Sequence, residues 1–148
     1  MNTMINYTEN NDSQKPAINL LRKLGWTYIT PEETVKERGS LFSNVILEDI
    51  LGERLSHINS FEYKDKEYPF SQTNIQSAIN FLKNIPEESL VKTNENVHDL
   101  LTLGKSFNET IQGDRKAYTL KYIDWDNPEN NVYHITEEFV VEGTKEKR

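Results

Sequence analysis

Apolar residues recur along this chain with two periods. Up to about Gly104 they follow the 3.6-residue repeat of amphipathic helices, and beyond it they alternate as in strands. From Ser13 onward, Ala17, Leu20, Leu21 and Leu24 share one helical face, and Gly25 stands where a helix closes. Trp26 to Ile29 predicts a short strand. Thr30, Pro31, Glu32 and Glu33 then form a helix start, with Thr as cap, Pro in the first turn and a glutamate placed to complete a capping box; Gly39 ends this short helix. The best-formed stripe predicts a helix over residues 43–58, with Leu47, Ile50, Leu51, Leu55 and Ile58 on one face and Asp49, Gly52, Glu53 and Ser56 opposite. Two charges interrupt that stripe. Arg54 falls within it, as a snorkelling stem or a partner for a carboxylate, and Glu48 lies on its edge beside Leu55.

Residues 59–70 read as a mixed-charge loop pinned by Phe61, Tyr63, Tyr68 and Phe70. Ser71 or Thr73 opens a helix carrying Ile75, Ala78, Ile79 and Leu82. Pro86 interrupts, setting Glu87 and Glu88 in the first turn of a last helix, where the dipole favours them. That helix turns Leu90, Val97, Leu100 and Leu101 inward and stops at Gly104. Residues 105–111, 117–123 and 132–141 then predict three strands, the first two joined through Gln112, Gly113 and Asp114. The fold class expected is α+β: a helical N-terminal half followed by an antiparallel β meander. Neither an internal repeat nor a linker is visible.

Composition narrows this picture. A chain of 148 residues fits one domain, and 35% hydrophobic against 28% charged residues suits a hydrophilic globular protein. With no cysteine, disulfides and thiolate metal sites are excluded. The opening MNTMINYTEN has neither a basic nor an apolar leader segment, and no apolar run reaches the roughly 20 residues of a membrane span, so a cytoplasmic protein is expected. The net charge is −7, and the densest basic cluster is Lys145 to Arg148. Since binding to a phosphate backbone draws on clustered lysines and arginines, this chain alone should bind DNA poorly. Residues 1–12 are expected to be a disordered tail and 144–148 a solvated one.

Four constellations invite chemical readings. Leu103, Gly104, Lys105 and Ser106 look like the end of a phosphate-binding loop, but Asp99 stands where that loop needs its first glycine, and a strand follows instead of a helix. Asp124, Asp126 and Glu129 could offer oxygen to a hard cation, yet the glycine and the final glutamate of a calcium loop are absent. A hairpin loop whose Asp and Asn side chains cap their own backbone, bent by Pro128, fits better. Glu62, Tyr63 and Lys64 have the Glu-x-Lys spacing of Mg²⁺-dependent nucleases, but no aspartate-bearing strand adjoins this predicted loop, and coincidence explains it best. His57, His98 and His134 are too dispersed for a local metal motif.

Read together, several segments resemble the N-terminal region of the R (restriction) subunit of type I restriction-modification enzymes. They are AINLLRKLGWTYIT at 17–30, RGSLFSNVILEDILGERL at 38–55 with His57, Ile58 and Asn59 after it, residues 75–82, NENVHDLLTLG at 94–104, and above all YIDWDNPENN at 122–131. They span nearly all of residues 16–141. The resemblance implies an ATP-dependent, DNA-translocating enzyme with an N-terminal Mg²⁺-dependent nuclease domain, working with methylation and specificity subunits. It implies that catalysis rests on an aspartate and a Glu-x-Lys on strands that follow the IDWDNPENN segment. Of the expected site residues only Glu48 carries over, as a helix carboxylate near the catalytic metal.

The resemblance therefore implies an incomplete restriction-endonuclease-like domain over residues 13–143, lacking the catalytic strands and the motor. Mg²⁺ and ATP belong to the whole enzyme, with no firm binding by this chain, and DNA is met through the full-length subunit only. The expectation is an N-terminal fragment, inactive alone. The alternative is a non-catalytic binding module docking on the methylation and specificity subunits, or a decayed gene product. Under either reading an unpaired sheet edge after residue 141 would favour self-association.

Overall fold

A computed structural model describes residues 13–142, so the expectations for the two tails lie outside the described residues. The architecture is α+β, with helices mostly in the first half and small sheets. The chain divides into two compact units: Ile46–Asn131 is one, and the described parts of Met1–Val45 and Val132–Arg148 form the other.

In the unit formed from the two ends, α1 (Lys15–Lys23) carries Arg22 and Lys23 in its last turn, favourable at the negative end of the helix dipole. None of its residues is buried, and Leu20 and Leu24 remain exposed despite the apolar face they share. The capping box at the start of α2 (Pro31–Glu37) is present in full: the Thr30 hydroxyl accepts from the Glu33 N–H, and the Thr30 N–H donates to the Glu33 carboxylate at 2.8 Å. β1 (Thr27–Tyr28) pairs with β6 (His134–Ile135) in parallel, Thr27 facing His134 and Tyr28 facing Ile135. The third expected strand is thus two residues long and lies beside β1, not within a meander. Its backbone partners decide this, since the Thr27 N–H donates to the Tyr133 carbonyl at 2.8 Å and the Ile29 N–H to that of Ile135 at 2.9 Å.

Arg38 organises this unit. Only 1% exposed, its guanidinium donates to the carbonyls of Phe42 at 2.6 Å, Asn44 at 2.5 Å and Val140 at 2.8 Å, and lies 4.1 Å from the centre of the Phe139 ring. A buried charge needs such donors satisfied and such a face to rest on. These bonds also explain why the next helix, α3 (Glu48–Ile58), starts at Glu48 and not at residue 43. The Asn44 carbonyl answers Arg38, and the Phe42 carbonyl answers both Arg38 and the Glu142 N–H, so neither is left for a helical ladder.

The other unit has an aliphatic and aromatic core of Leu55, Phe61, Tyr63, Phe70, Ile75, Ala78, Ile79, Leu100, Leu120 and Tyr122. Helices α3 (Glu48–Ile58) and α4 (Gln72–Lys83) pack against each other. Gly52, assigned from the pattern to the polar face, faces α4: a β-carbon there would meet the Ile79 Cδ1 at 3.4 Å. Arg54 is partly exposed and lies 3.5 Å from the Glu53 carboxylate, so it pairs as the pattern allowed.

Residues 59–70 are not a loop but a hairpin, β2 (Ser60–Tyr63) paired antiparallel with β3 (Lys66–Pro69). Burial alternates along β2, with Phe61 and Tyr63 inward and Ser60 and Glu62 outward. The connecting Lys64 and Asp65 both have positive φ, 49° and 59°, as a two-residue hairpin turn of this hand requires. Ser71, not Thr73, caps α4, its hydroxyl accepting from the Asn74 N–H. Helix α5 (Leu90–Leu103) begins after Ser89, which caps it through the Lys92 N–H. Glu87 and Glu88 therefore precede the helix instead of forming its first turn, and Leu90, expected inward, is exposed.

α5 ends at Gly104, whose φ is +73°. A β-carbon there would collide with the Leu120 carbonyl, so the residue has both a conformational and a steric reason to be glycine. β4 (Lys105–Ile111) has the predicted span, and β5 runs Asp114–Leu120, earlier than expected. The two-residue turn at Gln112 and Gly113 sets Ile111 opposite Asp114 and starts β5 at once. Beyond Leu120 the backbone is held by a side chain: Asn59 Oδ1 accepts from the Lys121 N–H at 2.8 Å, and its Nδ2 donates to the Lys121 carbonyl at 2.7 Å. That amide replaces a strand partner.

Candidate functional site

Glu48 is the first residue of α3, where a carboxylate is favoured by the unpaired amides of the first turn. Lys83 is the last residue of α4, at the opposite dipole end. The Lys83 ammonium forms a direct ion pair with Glu48 Oε1, and both side chains are about two-thirds covered, at 32% and 28% exposure. Glu48, Asp49 and Glu53 from α3 and Gln72 and Gln76 from α4 border an open groove of about 290 Å³. Lys83 was not singled out in the sequence. The only signal was its position four residues beyond Ile79 on the inward stripe of α4, and long-range pairing is not encoded in that spacing.

The other acids suggested by the sequence do not gather round Glu48. The loop from Asp124 to Asn131 is self-capped. Asp124 is buried, with Oδ1 accepting from Lys121 Nζ at 2.8 Å and the Asn127 N–H at 3.2 Å, and Oδ2 from Asn130 Nδ2 at 3.0 Å. Asn131 closes the loop, its Oδ1 accepting from the Asp124 N–H and its Nδ2 donating to the Asp124 and Pro128 carbonyls. The Asn130 bond and the Lys121 ammonium hold the Asp124 carboxyl down at about 2. Asp126 and Glu129 remain exposed. The Trp125 indole N–H donates to the Leu101 carbonyl at 3.0 Å, satisfying a C-terminal carbonyl of α5.

Glu62 and Lys64 do not form a nuclease pair. Glu62 points outward from β2, while Lys64 lies in the turn with its ammonium 4.9 Å from the ring of Tyr63, the residue facing inward. Gly104, Lys105 and Ser106 lead from α5 into a strand, so no helix N-terminus is available there to receive phosphate. His57 lies in the last turn of α3, His98 is exposed beside Asp99, and His134 lies in β6. No group of three or more His, Cys, Asp or Glu side chains among the described residues is arranged to hold a metal ion, and no helix among them is long and apolar enough to cross a membrane.

The Mg²⁺ implied for a nuclease of this kind does not fit the donors at Glu48. Magnesium needs near-octahedral oxygen coordination and gives up water reluctantly, whereas Glu48 already faces an ammonium and the three carboxylates bordering the groove, Glu48, Asp49 and Glu53, are not arranged to hold a metal ion.

Fold and site together define an α+β chain whose Asp124–Asn131 loop is held by its own side chains. The family model for the type I restriction enzyme R protein N terminus matches residues 6–148, and the chain belongs to that family. No curated protein and no solved structure gave a match.

Proposed function

We propose that this chain supplies the α+β framework at the N-terminal end of a type I restriction R subunit's nuclease domain, and that by itself it neither cleaves DNA nor hydrolyses ATP. The match over residues 6–148 carries the reading. The side-chain geometry supports the inactivity: the chain's single Glu-x-Lys, at Glu62 and Lys64, diverges, and Glu48 is paired to a lysine. In the whole enzyme the subunit acts in the cytoplasm with the methylation and specificity subunits, uses ATP to translocate DNA, and cuts it with Mg²⁺. Glu48 contributes there as a carboxylate beside the reacting centre, with the principal metal ligands coming from other residues.

The test is Glu48→Gln in an assembled enzyme carrying this sequence. Cleavage should fall at least tenfold while ATP hydrolysis and translocation persist. Unchanged cleavage would remove Glu48 from the nuclease centre.

A further inference from the structure

The disagreement between Glu48 and Mg²⁺ points to a specific role for Lys83. We propose that Lys83 is the resident counter-ion of Glu48 and that the closed pair excludes divalent cations from this carboxylate, which deepens the placement of Glu48 proposed above. Three observations converge. The ammonium contacts Glu48 Oε1 directly, and both side chains are mostly covered, so the pair is screened less than an open surface contact. Each charge also sits at the helix end that favours it, Glu48 in the first turn of α3 and Lys83 in the last turn of α4. Finally, α3 packs on α4 with Gly52 facing Ile79, so the backbones carrying the two charges are held by packing one turn from each partner.

A cation must then displace an ammonium whose approach is already fixed. Lys83 is a positioning residue: it sets the direction and counter-charge of Glu48 without touching a substrate.

The experiment records amide resonances of the 148-residue chain during titration with Mn²⁺, whose unpaired electrons broaden nearby signals. In the unsubstituted protein, residues 48–52 should stay sharp at Mn²⁺ concentrations that broaden them several-fold in Lys83→Met. Lys83→Arg should restore the sharp spectrum, and Lys83→Met with Glu48→Gln should abolish the broadening. Equal broadening with and without Lys83 would show that the pair excludes nothing. Sharp signals in both would show that Lys83 is not what keeps the cation away. Either result overturns the proposal. An intact α3–α4 spectrum outside the substituted turn separates exclusion from misfolding in each variant. The readout is independent of cleavage by an assembled enzyme, so loss of this proposal and loss of the catalytic placement of Glu48 are distinguishable.

Discussion

The two units solve burial differently. Ile46–Asn131 buries a cluster of ten aliphatic and aromatic residues, whereas among the described residues of the unit made from the chain ends the buried ones are Ile29, Thr34 and Arg38, two of them polar. In the first, stability scales with apolar area removed from water. In the second, a guanidinium and three carbonyls do much of the holding, and a hydrogen-bonded centre fails abruptly when one member is removed because the remaining polar groups stay buried.

That contrast can be broken most forcefully at Arg38 and Leu55. Arg38→Met should cost about 3–5 kcal/mol, since it leaves the Asn44 and Val140 carbonyls without their guanidinium donor and the Phe42 carbonyl with the Glu142 N–H alone. Urea denaturation followed by hydrogen exchange should locate the lost protection in residues 26–45 and 132–142. Leu55→Ala, at a position with no solvent exposure, should cost about 3 kcal/mol through transfer and cavity terms, with protection lost instead across α3 and α4. A smaller effect, about 2 kcal/mol, is expected for Gly104→Ala, because a β-carbon would strike the Leu120 carbonyl. A shift of the urea midpoint below 0.5 M, on an m-value of about 1.5 kcal/mol/M, would contradict that close approach.

Acid titration sharpens the same comparison within the larger unit. Folding lowers the Asp124 carboxyl from 3.8 to about 2, so between those values the unfolded chain binds the proton more readily. The Asp124 contribution is therefore complete above about pH 4 and is lost as pH falls toward 2. Asp124→Asn should flatten the fall in stability over that window. An unchanged slope would mean that the loop bonds do not favour the carboxylate. The smallest effect is expected at the β2–β3 turn, where Lys64→Asn with Asp65→Gly installs residues suited to positive φ and should stabilise by about 0.5–1 kcal/mol.

That turn also shows where sequence reading stops. The strand and turn at 105–114 are legible because Gly113 announces a hairpin, whereas Lys64 and Asp65 adopt the same positive φ without a glycine, so the 59–70 hairpin carries no local turn signal. Helix caps at Thr30 and the stop at Gly104 were visible because their signals are local. The start of α3 was not, since it depends on Arg38 reaching carbonyls at Asn44, Phe42 and, a hundred residues away in sequence, Val140. The parallel pairing of β1 with β6 likewise joins the two chain ends, and no local period encodes it. At the site, Glu48 was picked out by its place on the helix and by family resemblance, but Lys83 emerges only when α3 and α4 are packed.

The proposed role is that of a nuclease-domain framework without an assembled catalytic centre. The most direct measurement is incubation of supercoiled DNA with the purified chain and Mg²⁺. The plasmid should remain supercoiled at a large molar excess of protein. Mg²⁺-dependent nicking that co-purifies with the chain and disappears in Glu48→Ala would contradict the account.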